Sequence, residues 1–171
     1  HILTKHQASI EKKTGVSLQI EKALVKEPEV FADKISDITF TSDVDYILND
    51  EEISIIVEVL GGVDFAYNCV KKALESGKHV VTANKDLLAK HGVELSQIAR
   101  ENNVYLYYEA SVGGGIPVLR PLVEHVSSNE VEAIYGIVNG TTNFILTSMS
   151  QQGLSYEEVL KTAQEKGFAE A

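Results

Sequence analysis

Between Ile53 and Tyr108 the chain alternates short β-branched runs with amphipathic ones, and this alternation constrains its fold more than any other feature. Ile53-Ser54-Ile55-Ile56-Val57-Glu58-Val59-Leu60 is nearly continuous and reads as a parallel strand covered on both faces. Gly61-Gly62 ends it. Ala66, Cys69, Val70, Ala73 and Leu74 then share one face of a helix running from Asp64 or Phe65 to Glu75, which Ser76-Gly77 stops. Lys78–Thr82 is the next strand, Leu87–Arg100 the next helix, and Val104–Tyr108 a further strand. Strands and helices of these lengths in alternation build βαβ units and therefore a parallel sheet.

The flanks extend the pattern. Residues 1–14 read as a helix that Gly15 stops. Val16–Ile20 alternates like a half-exposed strand continuing towards Val25, and a short strand at Ile38–Phe40 precedes a short helix at Val44–Leu48. Glu109-Ala110-Ser111-Val112-Gly113-Gly114-Gly115-Ile116-Pro117 joins the last strand to a predicted helix over Ile116–Val126, with Pro117 in its first turn. Beyond it Glu130–Val138 alternates as in a sheet with one covered face. Asn139–Asn143 is a strand-to-helix turn before a helical run over Phe144–Met149. Ser155-Tyr156-Glu157-Glu158 is a capping box opening a helix to about Lys166, and Gly167 closes it. A boundary near residues 126–130 divides the chain into a first domain, residues 1–128, and the start of a second, residues 129–171.

Composition narrows the function. With 25 acidic and 15 basic residues the net charge is -10, and no Lys/Arg-rich block occurs, which argues against nucleic acid or an anionic membrane surface as the main partner. No apolar run approaches the roughly 20 residues of a membrane span. Cys69 is the single cysteine, so no intrachain disulfide forms. Its place on an apolar helix face reads as packing, and a reducing cytoplasm fits. The chain does not begin with Met, which reads as a processed, cut or incompletely represented chain.

Several residues carry chemistry in one reading and structure in another. Gly61 and Gly62 either admit a cofactor at the carboxyl edge of the sheet or form a helix-entry turn. The complete G-x-G-x-x-G fingerprint is absent. In Thr82-Ala83-Asn84-Lys85 the lysine either presents its cation to a carboxylate, phosphate or hydroxyl, or is an exposed helix-start lysine. The macrodipole disfavours a cation there, which adds weight to the first reading. His79 reads as a packed or hydrogen-bonded strand histidine, and His1, His6, His91 and His125 show no metal-ligand spacing. The three glycines at 113–115 suit ligand or ion contact and a tight turn equally. Glu109 either coordinates a cation, with turn carbonyls as further hard oxygen ligands, or caps its own loop. Glu170 is a solvated glutamate or faces a small polar substrate.

Four segments in order resemble homoserine dehydrogenase: Val57–Gly62, Gly77–Lys85, Glu109–Pro117 and Gly136–Asn143. The resemblance begins with Ile10–Gly15 and covers essentially the whole chain. It implies a Rossmann-like, doubly wound parallel α/β sheet, lacking its first strand here, followed by part of a mixed α+β catalytic and dimerisation domain. It implies interconversion of L-aspartate 4-semialdehyde and L-homoserine with NADPH or NADH, in threonine, methionine and isoleucine biosynthesis, by a cytoplasmic homodimer. It places Gly61, Gly62, Thr82, Lys85 and Gly167 at the cofactor, with Lys85 in a supporting catalytic role. It matches Glu109, Val112, Gly114 and Ile116 to a monovalent-cation site for Na+ or K+, and Glu170 to the homoserine amino group.

The resemblance also implies elements outside these residues. A first strand with a glycine-rich phosphate loop is expected before His1, and the main proton-donor lysine beyond Ala171. By that reading these 171 residues are inactive alone, and two interior strand edges are left open. Another small-semialdehyde reductase, or a non-catalytic dinucleotide-binding or assembly module, remains the alternative. Val25-Lys26-Glu27, after the second strand, offers both charges, so NAD and NADP are not distinguished.

Overall fold

Alternating burial along the strands shows how the molecule is put together. The computed structural model describes residues 2–32, 35, 37–125 and 129–169, and the chain divides into two compact units, His1–Tyr107 and Tyr108–Ala171. The first runs α1 (Ile2–Thr14), β1 (Lys22–Leu24), α2 (Glu29–Ala32), β2 (Thr39–Thr41), α3 (Asp45–Leu48), β3 (Ile55–Glu58), α4 (Asp64–Glu75), β4 (His79–Thr82), α5 (Lys85–Glu101) and β5 (Leu106–Tyr107). All strand pairs are parallel, as the sequence predicts: β1 with β2 in one sheet, and β3-β4-β5 in another. Among the described residues no ladder joins the two sheets, so β1 and β3 each have an edge without a strand partner.

The core of this unit lies between α4, α5 and one face of the three-stranded sheet. Ala66, Val70, Ala73 and Leu74 of α4 meet Val80 of β4 and Leu87, Leu95 and Ala99 of α5, with Leu48 of α3 closing one side. The small Ala66 and Ala73 let the backbones approach closely. Ile56, Val80 and Leu106 face these helices, while Ile55 and Val57 are 42% and 63% exposed. The expectation of a β3 covered on both faces is therefore corrected: α4 and α5 cover one face only. On the other, the His79 and Tyr105 rings lie 5.4 Å apart, and the Tyr105 and Tyr107 rings stack at 5.6 Å. His79 Nδ1 accepts the Tyr105 N–H at 3.1 Å, the hydrogen-bonded strand histidine the sequence suggests. Cys69 is buried on α4, and burial pushes its thiol up, consistent with a packing role.

Local signals explain most element ends. Gly15 and Gly77 take positive φ after α1 and α4. After α4 the Gly77 N–H donates to Leu74 O and the Lys78 N–H to Ala73 O, a glycine-closed helix end. The buried Lys78 then donates to Asp50 O and Ile53 O, both at 2.6 Å, fastening the segment that enters β3. The predicted strand at Val16–Ile20 forms instead at Lys22–Leu24, because β2 offers only a three-residue ladder there.

The second unit contains a 3-10 turn (Glu109–Ser111), α6 (Leu119–His125), α7 (Gly140–Gln152) and α8 (Tyr156–Glu165). Ile145, Val159 and Ala163 form the core of the α7–α8 hairpin, with Phe144, Met149 and Leu160 packed against it. Asn139 Oδ1 accepts the Thr142 N–H at 2.7 Å and starts α7 at Gly140, so the residues expected as a strand-to-helix turn, Asn139–Asn143, are instead the N-cap and first turn of the helix, with no strand leading into them. The Ser155/Glu158 capping box is present with both reciprocal bonds.

Two further expectations in this unit are corrected. The helix predicted from Ile116 starts at Leu119, with Pro117 ahead of it, because Gly113–Ile116 closes as a separate turn and a distant carboxylate takes the first helical N–H groups. Glu130–Val138 is not a strand: a strand needs a ladder partner, and the described residues of this unit contain none. The expected domain boundary at residue 128 lies outside the described residues.

Candidate functional site

The carboxyl ends of β3 and β4 are brought side by side by their register, in which Glu58 pairs with Thr82. Both side chains point to the covered face, where Glu58 is 3% and Thr82 1% exposed. A buried carboxylate without partners costs several kcal/mol, so its donors define the site. Glu58 Oε2 accepts the Thr82 hydroxyl at 2.5 Å, and Oε1 accepts the Leu60 N–H at 2.7 Å. Thr82 Oγ1 in turn accepts the Asn84 N–H at 3.0 Å. Asn84 Oδ1 accepts the Leu87 N–H at 3.1 Å and caps α5, while its Nδ2 donates to Gly62 O at 2.6 Å. One chain of hydrogen bonds thus ties the Gly61–Gly62 turn to the Thr82–Lys85 turn.

The two glycines need their conformation: φ is +75° at Gly61 and +68° at Gly62, where an L side chain is strained. Both are exposed, and a Cβ built on either meets nothing within 4 Å, so the surface over the turn is open to a ligand. Lys85 is the first residue of α5 and is exposed. Lys85 directly follows Asn84, which is bonded to Gly62 O, so an exposed lysine begins beside an open glycine turn at the edge of parallel strands, a placement suited to an anionic ligand. Of the residues singled out in the sequence, Gly61, Gly62, Thr82 and Lys85 come together here. Glu58 and Asn84 did not emerge from sequence as site residues. Their signals were a lone carboxylate inside an apolar run and an asparagine just before a helix start.

Glu109 has a different environment. Its Oε1 accepts N–H groups of Val118 at 2.5 Å and Leu119 at 3.0 Å, and Oε2 accepts that of Arg120 at 2.7 Å. Burial pulls the carboxyl up, but these three hydrogen bonds and the Arg120 charge outweigh it and hold Glu109 below the ordinary glutamate value. The loop-capping reading of Glu109 is what its side chain does. Val112, Gly114 and Ile116 line the exposed bend between, where Gly113 and Gly114 take φ of +73° and +59° and the Ile116 N–H donates to Gly113 O at 3.1 Å. A Cβ on Gly113 would stand 3.1 Å from Ile116 O, so this position requires glycine twice over.

Gly167 ends α8 with φ +72°, and its N–H donates to Gln164 O at 2.9 Å. The next residue is fixed to the start of α7: Thr141 Oγ1 donates to Phe168 O, and the Phe168 ring meets Phe144 edge-on at 5.2 Å. Glu170 lies outside the described residues. Among the described residues no three His, Cys, Asp or Glu side chains cluster to hold a metal, and no helix is long and apolar enough to cross a membrane.

Comparison with known proteins agrees across the chain. A family model described as "Homoserine dehydrogenase, NAD binding domain" matches residues 3–109, and one described as "Homoserine dehydrogenase" matches residues 117–171. The chain is 46% identical over 171 residues to a homoserine dehydrogenase of Bacillus subtilis, covering 99% of this chain and 40% of that protein. The crystal structure of a homoserine dehydrogenase from Thiobacillus denitrificans superposes with a TM-score of 0.89 at 38% identity, over 99% of this chain and 39% of the other. A hyperthermophilic archaeal homoserine dehydrogenase, solved in complex with NADPH, superposes with a TM-score of 0.80 at 27% identity, over 98% of this chain and 58% of the other. The chain thus spans about two fifths of the Bacillus relative's length.

Proposed function

The chain belongs to the homoserine dehydrogenase family, and on that premise we propose that it supplies the nicotinamide-cofactor crevice and the first part of the catalytic domain of an enzyme interconverting L-aspartate 4-semialdehyde and L-homoserine. The observation that carries the reading is the open Gly61–Gly62 turn beside Lys85, tied together at the carboxyl edge of parallel strands. Gly61, Gly62 and Lys85 would face NADPH or NADH, and Thr82 backs the turn from beneath. The cofactor supplies the hydride. Lys85 holds a positive charge where the substrate oxygen becomes an alkoxide, which lowers the barrier and favours its protonation. The glycines let the backbone approach the cofactor closely.

Two further assignments belong to this reading. The Glu109–Ile116 bend holds Na+ or K+ through oxygens of Glu109, Val112, Gly114 and Ile116. The Glu109 carboxylate is committed to α6, so backbone carbonyls, hard oxygen donors, dominate the set. The enzyme acts as a homodimer, supported by the exposed apolar side chains of Val131, Ile134, Ile137 and Val138. Glu170 recognises the homoserine amino group.

The test is an assay of the full-length protein with aspartate semialdehyde and NADPH or NADH, in Na+, K+ and a large organic cation. Substrate-dependent oxidation of the cofactor, stimulated by the small cations, is expected. No turnover with either cofactor defeats the assignment, and an equal rate in all three cations defeats the cation site alone.

A further inference from the structure

We propose that Glu58, Thr82 and Asn84 are positioning residues, a buried relay that holds the Gly61–Gly62 turn and Lys85 in one geometry for the nicotinamide cofactor. The inference rests on the reading of this crevice as the cofactor site.

A turn built on two glycines has the largest backbone freedom a chain can have. A Cβ built at Gly61 or Gly62 would meet nothing within 4 Å, so no packing on that side confines the turn. Its shape therefore depends on how its ends are tied. One end is held by the Leu60 N–H donating to Glu58, the other by Gly62 O accepting from Asn84 Nδ2. On the opposite side of the crevice, Asn84 caps α5 and so orients the helix turn that begins with Lys85. Glu58 and Thr82 connect the two ties through the Thr82 hydroxyl, which donates to the carboxylate and accepts the Asn84 N–H. An apolar residue at position 58 would end β3 equally well and avoid burying a charge. The carboxylate does what an apolar residue cannot: it joins the glycine turn to the lysine turn. None of the three side chains needs to touch cofactor, and Glu58, Thr82 and Asn84 are all buried.

Asn84→Asp separates the two functions of Asn84 in the full-length protein. Aspartate keeps the acceptor that caps α5 but places an oxygen, in place of a donor, against Gly62 O. Thr82→Val removes the hydroxyl at nearly constant shape, and Thr82→Ser restores it. Binding of NADPH and NADH is read from cofactor fluorescence well below each variant's unfolding temperature, so that lost stability alone does not move the result. Asn84→Asp and Thr82→Val are expected to weaken binding of the preferred cofactor about tenfold, with Thr82→Ser within about twofold of wild type. Unchanged binding in folded Asn84→Asp and Thr82→Val overturns the relay while leaving the cofactor site standing. Failure of both variants to fold also overturns it, because the network then serves folding alone. A wild-type protein that binds neither cofactor overturns the cofactor reading and, with it, the purpose assigned to the relay.

Discussion

Of two carboxylates, Glu58 lies inside an apolar run and Glu109 just after one, and both accept hydrogen bonds from the backbone. Glu58 is sealed among hydrogen bonds at a sheet edge, whereas Glu109 reaches forward about one loop to Val118, Leu119 and Arg120. Because folding lowers the carboxyl pKa of Glu109, its stabilising contribution is full above the unfolded value and is lost as pH falls through the lower folded one. Protection of the Val118–Arg120 amides, taken relative to their intrinsic exchange rates, is therefore expected to fall on acidification below the ordinary glutamate range, and Glu109→Gln to show reduced protection already at neutral pH. Exchange in the variant that matches wild type across that range would refute the cap. At Lys85 the expected loss is functional: the side chain is exposed, so Lys85→Met should leave the melting temperature nearly unchanged yet lower kcat/KM by roughly a hundredfold or more. Lys85→Arg should recover little, since a planar guanidinium does not replace a compact ammonium.

The helices divide into those explained by their own residues and those that depend on a partner. α8 carries its start signal in Ser155 and Glu158, and Ser155→Ala should cost about 1 kcal/mol in chemical denaturation. α4 is amphipathic, but its stability comes from burial of Leu74 and Val70 against α5 and β4, and Leu74→Ala should cost about 2–5 kcal/mol. α6 is the contrary case. Proline at 117 suggests a start at Ile116, yet the Glu109 carboxylate, nine residues before Val118, selects the start at Leu119. Glu130–Val138 shows the same limit for strands: its alternation is real, but period-two patterning makes a strand only where another edge accepts it.

At the scale of the molecule, hydrogen exchange should rank the segments by the partners they have. The amides of Val80 and Val81, in the strand paired on both sides, are expected to be the slowest, and those of residues 131–138 among the fastest; the reverse order would contradict the sheet order β3-β4-β5. Much of this architecture is legible from local chemistry. The β-branched runs, the α4 face, the glycine stops after α1 and α4 and the Ser155 box specify elements because each depends on residues within a few positions of one another. The sequence also singles out Gly61, Gly62, Thr82 and Lys85, each at a strand end followed by glycine or a polar turn, and the structure brings them side by side. Tertiary structure decided the rest. That Glu58 and Asn84 join these residues depends on the register Glu58↔Thr82, a contact across 24 positions that no periodicity encodes. That β3 is covered on one face only, that Glu109 caps α6, and that Glu130–Val138 stays unpaired likewise turn on which surfaces meet. Local patterns determine what each segment is able to form; only the packing of distant segments determines which hydrogen-bonding partners it finds.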